Sequence, residues 1–153
     1  MVTLPQKRNK KSCSASDAFE LPMIVDSSVL LQILFNEAGA EEVVRTLGRE
    51  PDLMMASPTL LETEVVYGSR RGFNSGEVAE LVQRLGISVA PFTSEHALEA
   101  KLAYARFGKG QAHPAQLNFG DCVSYALAKV TGRSLAFKGE DFNLTDLQVV
   151  KFG

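Results

Sequence analysis

The sequence predicts an α/β protein with a central parallel sheet flanked by helices. Short apolar runs alternate with longer segments of helical periodicity along most of the chain, and this alternation indicates parallel strands covered on both faces. The 153 residues, 45% of them hydrophobic, suffice for one domain with a sizeable core. We therefore expect a single layered domain that binds its ligands beyond the carboxyl ends of the strands.

Five apolar runs predict the strands, at residues 23–26, 53–56, 87–90, 134–137 and 147–150. Six segments with apolar residues at helical spacing predict the helices, at residues 29–34, 40–47, 57–71, 75–85, 94–107 and 121–130. Ser27 or Ser28 is expected to cap the first helix. Pro58 is expected near the start of the third helix, and Gly72 is expected to end it.

Composition and cysteine usage argue against several classes of function. The net charge of −2 provides no global basic field. Two widely separated cysteines, Cys13 and Cys122, form neither a disulfide scaffold nor a zinc site. The chain has no dinucleotide or Walker-type glycine motif, no apolar run of about 20 residues and no secretory signal. We expect a cytoplasmic protein without a membrane span.

Four acidic residues stand where their carboxylates can meet in one crevice. They are Asp26, Glu62, Asp121 and Asp141. Each follows a predicted strand or lies near a helix start, and Glu64 and Glu140 are the alternatives to Glu62 and Asp141. Clustered carboxylates repel one another, and a hard cation such as Mg²⁺ or Mn²⁺ relieves that repulsion. The pattern predicts metal-assisted phosphodiester chemistry, in which the cation polarises the phosphate and activates a water molecule.

Four segments in this order carry a resemblance to a known family. They are Ile24-Val25-Asp26-Ser27-Ser28, Thr59-Leu60-Leu61-Glu62, Leu117-Asn118-Phe119-Gly120-Asp121-Cys122 and Leu135-Ala136-Phe137-Lys138-Gly139-Glu140-Asp141-Phe142. Over residues 23–150 the chain resembles PIN-domain ribonucleases, specifically the VapC-type toxins of toxin–antitoxin pairs. The first segment alone is a weak signal, whereas the four at this spacing are a strong one.

The resemblance implies a PIN-like α/β/α sandwich at residues 23–153 and Mg²⁺- or Mn²⁺-dependent cleavage of RNA, often tRNA or ribosomal RNA. It also implies a homodimer and neutralisation by a VapB-type antitoxin. Asp26, Glu62 and Asp121 match the first three acidic positions of the family. The fourth position departs from the commonest pattern, because Gly139 occupies it and the acid follows as Asp141.

Further residues are expected to support this site. Ser28 and Asp146 are expected to orient the acidic ligands through hydrogen bonds. Basic side chains must meet the RNA backbone, because the acidic crevice repels it. The candidates are Arg70, Arg71, Arg133 and Lys138, with Arg106 and Lys109 as additional ones. Tyr67 and Phe73 are expected at the surface, and an apolar groove between the second and third helices would suit an antitoxin segment.

Residues 1–22 are polar, lack periodicity and carry four basic side chains against two acidic ones. We expect a flexible basic extension here. A disordered tail or a mis-assigned start is the favoured interpretation, because the folded pattern begins at Met23; a basic arm that touches RNA is the other.

Two other functions stay open at this point. A catalytically silent PIN-like module that binds RNA or protein is the main alternative. A metal-dependent phosphatase of another α/β fold is a weaker one, because the sequence has neither an Asp-x-Asp nucleophile motif nor a His-rich site.

Overall fold

The computed structural model describes residues 22–153, so residues 1–21 of the expected extension lie outside the described chain. Its strands are β1 (Met23–Val25), β2 (Leu53–Ala56), β3 (Ile87–Ala90), β4 (Leu135–Lys138) and β5 (Val149–Phe152). They form one parallel sheet in the order β3-β2-β1-β4-β5. The predicted parallel sheet is confirmed, and β1 lies at its centre.

Helices cover both faces of this sheet. They are α1 (Ser27–Leu34), α2 (Ala40–Leu47), α3 (Ser57–Arg71), α4 (Glu77–Leu85), α5 (Ser94–Phe107), α6 (Phe119–Thr131) and a 3₁₀ helix (Asp141–Leu144). Buried residues of α1, α2 and α4 pack on one face, and those of α5 and α6 pack on the other. Helix α3 contacts both α1 and α6. None of the helices among residues 22–153 is long and apolar enough to cross a membrane.

The central strand β1 serves both halves of the core. Met23 and Val25 belong to the cluster on the α1, α2 and α4 side, whereas Ile24 belongs to the cluster on the α5 and α6 side. Successive side chains of a strand point to opposite faces, and all three are buried. Full burial of such a side chain stabilises the fold by about 1.5–3 kcal/mol, so this short strand anchors both layers.

Two helix starts differ from the prediction because another residue supplies the cap. Asp26, rather than Ser27 or Ser28, is the N-cap of α1, and its carboxylate accepts a hydrogen bond from the backbone N of Ser28. Asn118 caps α6, which begins at Phe119 instead of residue 121. The side chain of Asp121 completes this second cap by accepting a hydrogen bond from the backbone N of Asn118.

Two further features differ from the prediction. Strand β5 begins at Val149 rather than at residue 147, because the 3₁₀ helix and the turn after it occupy more of the chain. Tyr67 is buried instead of exposed, since its ring packs against Phe35 with centroids 5.3 Å apart and its hydroxyl donates to Glu77. Phe73 is exposed, as expected.

Candidate active site

The site lies at the carboxyl edge of the sheet, between β1 and β4. From β1 the chain continues to β2 on one side, and from β4 it continues to β5 on the other. Asp26 directly follows β1, and a hydrogen bond from the backbone N of Lys138 to Ser28 Oγ (3.0 Å) joins the ends of the two strands. Open parallel sheets bind ligands at such a reversal of strand order, so the fold provides the crevice that the sequence predicts.

Asp26 is a buried charge held by hydroxyl and amide donors. Only 3% of its surface is exposed. Its Oδ2 accepts hydrogen bonds from the backbone N (3.1 Å) and Oγ (2.6 Å) of Ser28, and its Oδ1 accepts one from Ser124 Oγ (2.6 Å). A buried carboxylate without such donors would destabilise the fold. The expected hydrogen bond between Ser28 and Asp26 is therefore present, and it fixes the carboxylate.

Two buried hydroxyl residues near Asp26, Ser124 and Thr59, were not predicted from the sequence. Ser124 donates to Asp26, and its Oγ lies 3.4 Å from Thr59 Oγ1. Residues three apart on a helix share a face. Ser124 follows Asp121 by three residues and Thr59 precedes Glu62 by three. A hydroxyl one turn away from a candidate ligand is the signal that could have identified both.

Glu62 lies in the second turn of α3, where that helix meets the start of α6. A Cβ placed at Gly120 would lie 2.5 Å from Glu62 Oε1, so the absence of a side chain at Gly120 permits this approach. Burial raises the pKa of Glu62, a hydrogen bond with Ser27 lowers it, and the charge of Asp26 raises it further.

Asp121 shows that the four acids share one electrostatic environment. Burial raises its pKa from 3.8 to about 7, while a hydrogen bond from the backbone N of Asn118 (2.8 Å) acts to lower it. The remaining upward influences are the negative charges of Asp26, Asp141 and Glu62. The charges of the other three predicted acids therefore all act on Asp121. The charges that act on Asp121 do not include Glu64, the alternative on α3.

Asp141 and Glu140 are distinguished by their neighbours. Asp141 is the first residue of the 3₁₀ helix, and its charge acts on Asp121. The carboxylate of Glu140 pairs with Lys151 and accepts a hydrogen bond from Asn143 Nδ2 (3.2 Å). The hydrogen bond from Lys151 lowers the pKa of Glu140. Glu140 is thus engaged at the surface, whereas the charge of Asp141 acts on Asp121.

The chemistry of this donor set fits a hard divalent cation, although the acids do not surround a common point. Among residues 22–153, no three Asp, Glu, His or Cys side chains are arranged to hold one ion together. Both carboxylate oxygens of Asp26 and the Oδ2 of Asp121 accept hydrogen bonds. Carboxylate oxygens are the ligands that Mg²⁺ prefers. Burial is the largest cause of the raised pKa of Asp121, and a cation would offset both that burial and the repulsion from the other acids. Ion binding would therefore require these side chains to rearrange.

Three of the predicted RNA-binding residues are basic side chains near strand or helix ends. Lys138 ends β4 beside the crevice, and its ammonium group pairs with Glu37. Arg70 and Arg71 are exposed at the end of α3 and lie over the ring of Phe35, at 5.0 and 6.0 Å from its centroid. The guanidinium groups thus keep free edges that phosphates can approach.

Arg133, the fourth predicted RNA-binding residue, lies at a different edge of the sheet. It precedes β4, so it stands near the amino end of that strand, opposite the edge of Asp26. Its side chain is partly buried, with Nη1 3.0 Å from Met54 Sδ, and its buried Nε has no hydrogen-bond partner among the described residues. The guanidinium thus packs against Met54 of β2, and RNA binding by Arg133 stays a prediction.

Asp146 contacts α6 away from the four acids. It accepts hydrogen bonds from Tyr125 Oη (2.6 Å) and Lys129 Nζ (2.7 Å), and Arg106 Nη1 lies 3.5 Å away. Burial acts to raise its pKa, but the hydrogen bonds from Lys129 and Tyr125 outweigh burial and leave the pKa lowered. None of these bonds reaches an acid of the site, so the orienting contact expected from the sequence is replaced by an ion-pair cluster.

An apolar cavity of about 450 Å³ opens beside the acids, between α3 and the start of α6. Its lining includes Pro58, Leu61, Val65, Phe119 and Val123, together with Glu62 and Gly120. The prediction of an apolar groove between α2 and α3 is wrong, because the apolar residues of α2 are buried in the core. The exposed apolar surface of α3 faces α6 instead.

Comparisons with known proteins identify the family. The PIN domain family matches residues 23–147. A ribonuclease VapC of Mycolicibacterium smegmatis is 43% identical over 129 residues, which cover 84% of this chain and 99% of that protein. Ribonuclease VapC42 of Mycobacterium tuberculosis is 40% identical over 130 residues, which cover 82% of this chain and 97% of that protein.

A solved structure has the same fold. VapC20 of Mycobacterium tuberculosis, a toxin that cleaves the sarcin-ricin loop, matches with a TM-score of 0.65 at 20% identity, covering 82% of this chain and 95% of that one. At this identity the likeness concerns the fold alone. The family match and the two curated relatives extend over most of the chain, and the chain therefore belongs to the VapC branch of the PIN-domain family.

Proposed function

We propose that the chain is a divalent-metal-dependent endoribonuclease toxin whose ion ligands are Asp26, Glu62, Asp121 and Asp141. One observation carries the proposal: the pKa of Asp121 is raised to about 7 by burial and by the charges of the other three acids. Carboxylates gathered in this way are typical of sites that bind a cation. The relatives named as VapC ribonucleases support RNA as the substrate.

The side chains take different parts in this chemistry. A bound Mg²⁺ or Mn²⁺ ion would polarise the scissile phosphate and activate a water molecule. Asp26 supplies a carboxylate fixed by its hydrogen bonds. Glu62 and Asp121 would supply further carboxylates to the ion, and one of them would accept the proton of the attacking water. Asp141 adds an exposed carboxylate on the β4 side of the crevice.

Basic residues at the rim would position the RNA backbone. We assign this role to Lys138 at the end of β4 and to Arg70 and Arg71 at the end of α3. Phosphate contacts orient a nucleic acid without reading its sequence, and each one makes binding weaker at high salt. The proposed substrate class is tRNA or ribosomal RNA in the cytoplasm.

Protein partners follow from the family. We propose neutralisation by a VapB-type antitoxin and assembly into a homodimer. Leu98 and Leu102 lie four residues apart on α5 and are 58% and 53% exposed. Such an apolar stripe on a helix is a surface that a protein partner would cover.

A cleavage assay with cellular RNA tests the proposed activity. The purified chain, free of antitoxin, is incubated with total RNA, with and without Mg²⁺ or Mn²⁺. We expect discrete metal-dependent fragments, and their loss in Asp26→Ala and Asp121→Ala. Matched pairs refine the site: Glu62→Gln should lose cleavage and Glu64→Gln should keep it, and Asp141→Asn should lose more than Glu140→Gln.

Two outcomes would contradict the proposal in different ways. Cleavage that survives in both Asp26→Ala and Asp121→Ala would mean that the nuclease site lies elsewhere or that the activity is a contaminant. A folded wild-type chain that neither cleaves RNA nor binds Mn²⁺ would instead support the silent binding module.

A further inference from the structure

The apolar cavity between α3 and α6 shares a wall with the acidic site. Glu62 and Gly120 line it, and Phe119 is the neighbour of Gly120 in the chain. An RNA strand whose scissile phosphate lies at the carboxylates has a nucleotide on each side of that phosphate, and the cavity and Lys138 lie on different sides of the site. The two flanks of the site therefore meet different parts of the substrate.

The chemistry of the cavity favours a base over a phosphate. None of the residues that line the cavity is basic, and Glu62 places a carboxylate at its edge. A phosphate inside the cavity would lose its hydration against apolar side chains, with no basic side chain in the lining to pair with it. A nucleobase is uncharged and flat, and it gains from contact with apolar and aromatic surface.

Phe119 is available for such a contact. Its side chain is 80% exposed, the highest value among the large hydrophobic residues of the described chain. Phe119 is also the first residue of α6, directly after the reciprocal cap formed by Asn118 and Asp121. This cap fixes the backbone on which the ring stands, so the ring is presented to solvent from a rigid position beside the acids.

We propose that Phe119 and the adjoining apolar cavity form a nucleobase subsite, which holds the base next to the scissile phosphate. The cavity volume of about 450 Å³ falls within the range of about 300–1,000 Å³ that is typical of small-ligand sites. Its location beside the scissile phosphate rests on the proposed function. Phe119 contacts no reacting atom, and its part is to select and position the RNA.

A binding comparison tests the subsite. The full chain, with Ca²⁺ in place of Mg²⁺, is titrated with a labelled single-stranded RNA oligonucleotide and with an abasic oligonucleotide that carries the same number of phosphates. Stacking of one base on an aromatic ring changes affinity by roughly 5- to 140-fold. We expect the wild type to bind the base-bearing RNA at least about 5-fold more tightly than the abasic RNA. Phe119→Ala should lower this preference by a factor within the same range.

Two variants serve as controls. Phe119→Tyr retains an aromatic ring and should retain the preference. Phe73→Ala removes another strongly exposed phenylalanine, 67% exposed just beyond the end of α3, and should also leave the preference unchanged. The affinity of Phe119→Ala for Mn²⁺ should equal that of the wild type, because the ring supplies no ligand atom.

An unchanged preference in Phe119→Ala, or a wild type that binds both oligonucleotides equally or neither of them, overturns the subsite. Altered self-association of Phe119→Ala with an unchanged RNA preference would assign the cavity to a protein contact and would overturn it too. Failure of the proposed function is a separate result. If Asp121→Ala still cleaves RNA while Phe119→Ala loses base preference, the acidic site is misassigned and the subsite stands.

Discussion

Two acids that contact α6 show how the neighbours of a carboxylate decide its role. Asp121, in the first turn, lies among other carboxylates, and its pKa is raised to about 7. Asp146 packs farther along the same helix against Tyr125 and Lys129, and its pKa is lowered. A carboxylate surrounded by other carboxylates favours the binding of a cation or a proton, whereas a carboxylate paired with cationic side chains stabilises the fold. Sequence context alone assigns both to the site.

The largest contrast should appear in RNA cleavage. Asp26→Ala should reduce metal-dependent cleavage by more than the roughly 10- to 100-fold loss that is typical of residues that only orient a ligand. Asp146→Asn should keep the initial rate within a few-fold of the wild type. Equal losses in the two folded variants, measured as initial rates on the same RNA, would remove the distinction between Asp146 and an acid of the site such as Asp26.

Gly120→Ala should damage the site through Glu62. The new Cβ would stand 2.5 Å from Glu62 Oε1, and because this oxygen is the end of a flexible side chain, the carboxylate should move at only a small cost in stability. Metal affinity should fall as the carboxylate moves. Glu62→Asp shortens the side chain by one methylene, so the stability loss from Gly120→Ala should be smaller in the Glu62→Asp background. Strictly additive losses in chemical denaturation would contradict the close contact.

Ser124→Ala removes one donor from the buried carboxylate of Asp26. Loss of a hydrogen bond to a buried charged acceptor costs about 1–3 kcal/mol, and cleavage should fall by roughly 10- to 100-fold. Ser69→Ala is the matched control, because its hydroxyl is exposed and bonds only to the carbonyl of Val65. That control should change the free energy of unfolding by less than about 0.5 kcal/mol. Similar losses in both variants would argue against the buried network.

The pH dependence of stability should differ in sign between the two acids. The pKa of Asp121 is about 7 in the folded state, against an ordinary value of 3.8. The folded metal-free chain therefore binds this proton more tightly than the unfolded chain does. The stabilisation that protonated Asp121 gives to the folded state is present below about pH 4 and is lost as the pH rises to about 7. Asp146 has a lowered pKa, so its contribution is present above its ordinary pKa and is lost in acid.

The difference between wild type and Asp121→Asn isolates this contribution, because the other groups titrate in both. Thermal unfolding between pH 4 and pH 8, without divalent ions, should show the wild type losing stability relative to the variant as pH rises. Parallel profiles would mean that the pKa of Asp121 is not raised.

The smallest effect should come from Asp146→Asn on stability. Its ion pairs with Lys129 and Arg106 are partly exposed, and such pairs contribute about 0–1 kcal/mol. Asn keeps an acceptor for the hydroxyl of Tyr125. We expect a loss of about 1 kcal/mol or less, and a smaller one at high salt. A loss of several kcal/mol would show that Asp146 holds a buried network instead.

The fold was largely predictable because its signals are local. The bounds of α2 and β2 match the sequence prediction, since apolar spacing and flanking polar residues mark both ends. Boundaries were wrong where one side chain has two roles, as when Asp26 both caps α1 and lies in the site. The register of β5 depends on how the 3₁₀ helix packs, and no local pattern encodes that packing.

The site divides in the same way. Each of the four acids has a local context that marks it in the sequence, and in the structure the charges of Asp26, Glu62 and Asp141 act on Asp121. The support of Asp26 by Ser124, and the proximity of Gly120 to Glu62, depend on how α3 meets α6. The position of Arg133 near the amino end of β4 was not predictable, because a basic residue in the sequence does not show which edge of the sheet it occupies.

Calorimetric titration with Mn²⁺ at pH 7 tests the central claim most directly. The wild type should bind the ion and release about half a proton, because Asp121 with a pKa of about 7 is half protonated before the ion displaces that proton. Asp121→Asn should lose affinity and proton release, and Asp146→Asn should behave as the wild type does. Wild-type binding without proton release, or a loss of affinity in Asp146→Asn and not in Asp121→Asn, would contradict the assignment of Asp121 as the acid that meets the cation.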